Sequence, residues 1–312
     1  MGLILRRNAR HLLRYSRQLT LSNERGDLSP RRSVVIAVID FHTHSAASDG
    51  ALRARDLVAR AADEGVTRFA LTDHDTIAGY LSITQYVPHG LELVSGVELS
   101  CQWGRVGIHV IGLGFDESNA DLLEHLAQLD AARVDRSARI AHRLEKAGMP
   151  GALEGALEIA AGAQIGRPHF ARWMVASGYV DTEQDAFKRF LGRGKPGDIS
   201  VLWPALHCSV EAIIQAGGVA VLAHPLEYKM TATRLRALRD AFCEAGGQAI
   251  EVINGRANPG DADQLWRLAD ERDLMVSVGS DFHRDTPYGA GLGVDVTAFP
   301  EGRGVWEVLC AA

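Results

Sequence analysis

Six histidines and three acids stand in short polar clusters, each beside or at the end of an apolar run. Asp40-Phe41-His42-Thr43-His44 places two imidazoles two residues apart. On extended backbone alternate side chains point the same way, so both rings can face one metal ion. Asp49 follows in Ser48-Asp49-Gly50, His74 lies between Asp73 and Asp75, and Glu98 closes Gly96-Val97-Glu98. His109 sits inside the next apolar run. His224 comes directly after another in Ala223-His224-Pro225, as do Asp281 and His283 in Ser280-Asp281-Phe282-His283. Any one histidine at a strand end is more often a hydrogen-bonded structural residue than a ligand. Nine nitrogen and oxygen donors together exceed one tetrahedral site and suit two or three divalent ions. Without metals the same set would be costly to bury. No thiolate joins it, so manganese, iron and zinc are all admitted, with manganese the first choice.

These side chains need a scaffold that brings strand ends together. Val34–Ile39, Thr67–Leu71, Leu91–Leu99, Gly107–Leu113, Val219–Ala223, Ala249–Ile253 and Leu274–Val278 read as strands. Helical spacing follows over Arg53–Glu64, Thr231–Ala245 and Asp261–Arg272. Alternating strands and helices predict a parallel α/β architecture, with active-site residues just past the strands' C-terminal ends. Residues 116–199 break the rhythm: Ala120–Ala147, Glu154–Ala161, Phe170–Ser177 and Glu183–Leu191 are helical by pattern and read as an insertion. The scaffold proper is then 34–115 and 200–312. Asp40, Asp73 and Asp75 are candidates to orient ligand imidazoles through their second ring nitrogen, with a cap or turn role as the alternative.

Composition narrows the classes further. The net charge of −6 hides an uneven distribution. Eight arginines against Glu24 and Asp27 leave residues 1–33 at +6, so the remainder carries −12. The first stretch reads as a loose basic extension without the apolar region of a secretory signal. An acidic body is a poor general binder of long duplex DNA. No run approaches the ~18 apolar residues of a membrane span, and four scattered cysteines suggest reduced thiols in a cytoplasmic protein. No protein partner is indicated.

The ordered set D-F-H-T-H-S, S-D-G, L-T-D-H-D-T, G-V-E, H-V-I-G-L-G, A-H-P and S-D-F-H resembles the PHP (polymerase and histidinol phosphatase) family over roughly residues 38–285. G-R-P-H-F-A at Gly166–Ala171 and L-G-R-G-K-P at Leu191–Pro196 resemble the branch that contains 3′,5′-nucleotide bisphosphatases and the 5′→3′ exoribonuclease called ribonuclease AM. The resemblance implies a distorted (β/α)7 barrel with a helical insertion. It implies three metal positions: His42, His44, Glu98 and Asp281; Glu98 shared with His109 and His224; and Asp49, His74 and His283.

The expected activity is phosphoester hydrolysis by a water ionised between metals, on nucleoside 3′,5′-bisphosphates or the 5′ end of short single-stranded RNA. Asp281 and His109 would act through the metals they hold, and His169 is the candidate to assist the leaving oxygen. Arg133, Arg136, Arg167, His169 and Lys195 are candidates to grip phosphate. Relatives often carry Gly-Arg-Tyr after A-H-P, where this chain has Leu226-Glu227-Tyr228, so one phosphate-contacting arginine is missing. Competing readings are a phosphatase of a small metabolite such as histidinol phosphate, an amidohydrolase-type enzyme, and a non-enzymatic metal-binding module. The amidohydrolase reading would want a carboxylated lysine, and residues 1–145 contain none. Trp103, Trp173 and Trp203 could stack a base, but packing is the favoured reading.

Overall fold

Short apolar runs punctuated by glycine and polar clusters make short strands. The computed structural model describes residues 37–199, 203–255, 258–286 and 289–309, all within the unit Ile36–Ala312. The expectation for residues 1–33 lies outside the described residues. Strand β1 (Val38–Asp40) is followed by helix α1 (Ala54–Asp63), which buries Ala54, Leu57, Val58 and Ala61 at helical spacing. Gly65, at φ +85°, turns the chain out of that helix into β2 (Arg68–Ala70). After the short α2 (Ala78–Leu81) comes β3 (Glu92–Val94). These strands pair in parallel, and β9 (Val294–Asp295) returns antiparallel to β1, giving the order β3-β2-β1-β9.

Leu91–Leu99 is not one strand. At Ser95 the chain leaves the first sheet, and β4 (Gly96–Trp103) begins a second one. A side chain at position 96 would meet the Leu71 carbonyl at 2.7 Å, so this crossing requires glycine. β4 pairs antiparallel with β5 (Val106–Leu113) across a turn at Gly104-Arg105, and β5 pairs antiparallel with β6 (Val219–Leu222). Within this second sheet only β6, β7 (Ala249–Asn254) and β8 (Met275–Gly279) run parallel. The architecture is therefore mixed α/β rather than all-parallel, because the hairpin leaves no room for a crossover helix.

After β5 the described residues form α3 (Ala120–Lys146), α4 (Ala152–Ala160), α5 (Arg167–Ala176) and α6 (Glu183–Ala186), which runs on into a π-helical turn at Phe187–Leu191. Asn119 caps α3 by accepting from the Asp121 and Leu122 amides, both at 3.1 Å. Leu122, Leu126 and Leu129 in the first half of α3 pack into the main core, while Ile140, Ala141 and Leu144 pack with α4–α6 in a second apolar cluster. A further helix, α7 (Leu206–Gln215), precedes β6 where the sequence reading places no element. Helices α8 (Ala232–Glu244) and α9 (Pro259–Asp270) form the crossovers of the parallel strands.

The two sheets form no closed strand ladder among the described residues. They meet at two seams. At one, the Phe41 amide donates to the Val278 carbonyl (3.1 Å), His44 to Phe282 (2.9 Å) and Asp281 to His42 (2.8 Å). At the other, Asp75 donates to the Glu98 carbonyl (2.9 Å) and Glu98 to Asp73 (3.3 Å). Both seams are built from the segments that carry the polar clusters.

Candidate active site

The β4–β5 hairpin supplies the centre. Ser100 stands opposite His109 and Glu98 opposite Ile111, so Glu98 and His109 are diagonal neighbours on one face. His109 Nδ1 lies 2.9 Å from Glu98 Oε1, and His224 Nε2, delivered past the end of β6, lies 2.8 Å from the same oxygen. Glu98 Oε2 faces His42 Nε2 at 3.4 Å, His44 Nε2 at 3.3 Å and His74 Nδ1 at 2.9 Å. One buried carboxylate thus presents one oxygen to two rings and the other to three. Asp281 Oδ1 is 3.4 Å from both His42 Nε2 and His44 Nε2. Asp49 Oδ1 is 3.3 Å from His283 Nε2, and Asp49 Oδ2 is 3.9 Å from His74 Nε2. All nine residues singled out from the sequence gather here. Three sets have donor atoms within 4.8 Å of one another: His42, His44 and Glu98; His74, Glu98 and His109; and His44, Asp49, His74 and His283.

Local backbone places two of these side chains at a conformational cost. His224 (φ +27°) and Asp281 (φ +52°) occupy positive φ directly after a strand. Each is pinned by its own amide, which donates to Glu251 Oε2 at 2.7 Å for His224 and to the His42 carbonyl for Asp281. Glu251, on β7, was not singled out from the sequence. Its other oxygen accepts from His42 Nδ1 at 2.9 Å, which leaves Nε2 of that ring facing the cluster. The available signal was a lone carboxylate within the apolar run Ala249–Ile253, since a buried charge needs a partner.

The carboxylates expected to orient imidazoles hold backbone and hydroxyl groups instead. Asp40 accepts from the Ser280 (2.9 Å) and Gly293 (2.8 Å) amides. Asp73 accepts from the Ser45 amide (2.8 Å) and from the Ser45 (2.7 Å) and Ser48 (2.6 Å) hydroxyls. Asp75 accepts from the Ser100 amide (2.6 Å) and Arg133 Nε (2.5 Å). None of the three touches a ring. Asp75 does not cap α2 either, because Thr76 Oγ1 takes the Ala78 amide. Each aspartate comes one or two residues before a ligand candidate or after one, so it ties down the loop rather than the ring.

The electrostatics are those of a site with donors in excess. Burial disfavours charge on every ring, yet Glu251, Asp281 and Glu98 hold the His42 pKa well above its usual value. His44 is pushed down to about 3 by burial and by the His283 and His74 rings. Burial lowers His283 as well, but Asp49 and Asp281 outweigh it and bring that ring up to about 9. Burial raises Glu98 and Asp49, but surrounding imidazoles keep both well below the carboxylate range. His74 Nδ1 and Glu98 Oε2 are 2.9 Å apart yet neither makes a hydrogen bond, and Asp49 Oδ1 also has none. Buried polar atoms aimed at one another without hydrogen bonds call for a shared positive charge between them, so the residues present fit divalent metal ions.

A cleft of about 420 Å³ opens beside the cluster, against Asp49, His74 and His109, with Arg133, Arg136 and Arg167 also on its wall. Arg133 is buried, with Nε on Asp75 and Nη2 on Ser100 Oγ (3.2 Å). Arg136 has a buried Nε without a partner. Burial and the Arg167 and Arg133 guanidiniums push its pKa down to about 9. Farther along α3, Arg139 and Arg143 are exposed, as a solvated face would be. Lys195 stands exposed on the turn after Leu191 and does not line this cleft, whereas Arg193 lines the chamber next to it. His169 is buried at the start of α5, where its Nδ1 accepts from the Gly166 amide at 3.0 Å. Gly166, Arg167 and Pro168 line the cleft and His169 does not. Trp173 is buried among the helices, while Trp203 lines the cleft with Arg133 and Arg136 each 5.6 Å from its ring.

The PHP domain family matches residues 40–181, the stretch that carries His42, His44, Asp49, His74, Glu98 and His109. A 5′-3′ exoribonuclease of Haemophilus influenzae is 42% identical over 245 residues, covering 78% of this chain and 89% of that protein. The chain belongs to the PHP-domain family. A 3′,5′-nucleoside bisphosphate phosphatase of Chromobacterium violaceum is 37% identical to this PHP-domain protein over 276 residues, covering 88% of this chain and 97% of that one. A solved structure from the same organism, described as an amidohydrolase with bound sulfate and no metal, matches with a TM-score of 0.78 at 36% identity, covering 87% of this chain and 95% of its own.

Proposed function

We propose that this PHP-domain protein is a metal-dependent phosphoesterase that removes the 3′-phosphate of nucleoside 3′,5′-bisphosphates and hydrolyses short single-stranded RNA from its 5′ end. The observation that carries the reading is Glu98, with one oxygen toward His109 and His224 and the other toward His42, His44 and His74, beside an arginine-walled cleft. We assign His42, His44, Glu98 and Asp281 to one ion, Glu98, His109 and His224 to a second, and Asp49, His74 and His283 to a third, with manganese first and iron or zinc admitted by the same donors. Bound dications would acidify water and neutralise charge on phosphoryl oxygens. Two seams between the sheets form one mouth for these side chains, which is how a distorted (β/α)7 barrel would present them. Residues 116–199 would then be its insertion, and α3 and α5 of that segment bring Arg136 and Arg167 to the cleft.

The chain's own residues divide the remaining work. Arg136 and Arg167 offer guanidinium groups to a second phosphate, and Arg133, held by Asp75 and Ser100, supports them with its charge. His169, through the Gly166 amide, holds the rim that carries Arg167. The Chromobacterium relative is a nucleoside bisphosphate phosphatase and its compatriot structure holds sulfate, a tetrahedral oxyanion like phosphate. An amidohydrolase reading lacks its lysine: no described strand carries one.

The test is a product assay with metal analysis. Metal-loaded protein is expected to release inorganic phosphate from adenosine 3′,5′-bisphosphate and mononucleotides from a short 5′-phosphorylated RNA. Glu98→Gln and His44→Ala should each lose bound metal and at least 100-fold in activity. Full metal content and activity in both variants would refute the assignment. Turnover restricted to sugar or amino-alcohol phosphates would turn the reading to a metabolite phosphatase.

A further inference from the structure

More open space lies beyond the arginine wall of the cleft. Arg136, Arg167, Trp203, Glu227 and Tyr228 also line a second chamber of about 880 Å³, so the two spaces adjoin. A pocket for one small ligand spans roughly 300–1,000 Å³, which the inner 420 Å³ already satisfies. Taken together, the cleft and the outer chamber exceed that range.

Its wall is basic. Arg105 comes from the β4–β5 turn, Arg193 from the segment before α7, and Lys229 and Arg234 from the approach to α8 and its first turn. None of the four pairs with an acid among the described residues. Elsewhere on the surface arginines do find such partners, as Arg236 does with Glu271 and Arg284 with Glu183. With Arg136 and Arg167, six cations face only Asp198 and Glu227 as lining carboxylates. Arg234 lies 5.9 Å over the Trp103 ring, which adds an aromatic face beside the groove. On a body with net charge −12 beyond residue 33, this is a local reversal of sign. A continuous cationic groove with aromatic groups at its edge is the form that tracks a single-stranded backbone.

We propose that the outer chamber is a track for the second and third nucleotides of a single-stranded RNA whose 5′ end lies at the histidine cluster, with Arg105, Arg193, Lys229 and Arg234 neutralising its phosphates. This rests on the phosphoesterase reading for the identity of the ligand, but binding and turnover are separable. The experiment uses the full chain in chelator, where no hydrolysis occurs. Fluorescence anisotropy of a 5′-phosphorylated, 3′-labelled RNA tetranucleotide is compared with competition by adenosine 3′,5′-bisphosphate.

The tetranucleotide should bind at least tenfold tighter at low salt, and its log affinity should fall with log salt at a slope of about −2 if three phosphates are neutralised. Arg105→Glu/Arg234→Glu should weaken tetranucleotide binding tenfold or more and bring the two affinities together. Arg193→Gln/Lys229→Gln, on other elements, should act in the same direction if the first pair folds poorly. Arg267→Glu, which lines neither space, is the charge-matched control and should change neither affinity. Equal wild-type affinity for the two ligands, or an equal loss in the control, would overturn the track. Preferential binding of the tetranucleotide, with neither it nor adenosine 3′,5′-bisphosphate hydrolysed in metal, would support the track and refute the phosphoesterase reading.

Discussion

One carboxylate on β7 serves two histidines. Glu251 holds the His42 ring through Nδ1 and the His224 backbone through its amide, so it sets the direction of two donors that approach Glu98 from different strands. Outer partners of this kind are worth 10–100-fold in metal affinity. Glu251→Gln keeps the size and loses the charge, and its metal affinity, measured by competition with a chromogenic chelator, should fall by about that factor. The nine donors were legible because residue type and spacing fall in short motifs. Glu251 was not read, since it sits alone in an apolar strand, and the choice between a ring-orienting and a turn role for Asp40, Asp73 and Asp75 stayed open because proximity in sequence does not say whether a carboxylate meets a ring or an amide.

At the level of elements, the seams and the long helix decide the site. Gly279 closes β8 against β1 so tightly that a Cβ there would lie 2.3 Å from that of His42, and this contact seats the first donor. Helix α3 was legible from its periodicity, and it reaches from the main core to the helical cluster. His125 lies buried on its first half, with Nε2 2.9 Å from Ser209 Oγ on α7. Burial lowers its pKa below the usual value, only partly offset by Asp75. The unfolded chain therefore binds more protons just below the ordinary histidine pKa, and the stability His125 contributes is present above about 6.5 and lost as pH falls below it. Urea midpoints at pH 7.5 and 5.0 should separate further in the wild type than in His125→Gln, which keeps a polar partner for Ser209. The antiparallel hairpin was hidden because alternation of apolar runs does not give strand direction.

For the whole molecule, ions held by the cluster as proposed would couple metal binding to folding. Dications that bind the folded chain alone stabilise it by about 2.7 kcal/mol at 100-fold excess over Kd. Adding manganese to chelator-treated protein should raise Tm by several degrees and chelator should reverse the rise. The gain should shrink as pH falls from 7.5 to 5.5, because imidazole and carboxylate donors must shed protons to bind metal. Tm unaffected by manganese, iron or zinc would count against every ion assigned. No helix among the described residues is long and apolar enough to cross a membrane, and Cys101, Cys208 and Cys243 are free thiols.

By itself the sequence determined which nine histidines and acids to single out, the mixture of strands and helices, the family, and the helical segment between β5 and β6, because residue type, short-range spacing and periodicity are local properties. Only the tertiary structure decided that Glu98 divides five rings between its two oxygens, that Glu251 orients His42, that Arg133 is tied to Asp75 while Arg136 and Arg167 face open space, and that a basic chamber adjoins the cleft. Those facts depend on which strand ends meet across a seam, and that is set by packing among residues far apart in the chain, such as Asp40 and Ser280, 240 positions apart.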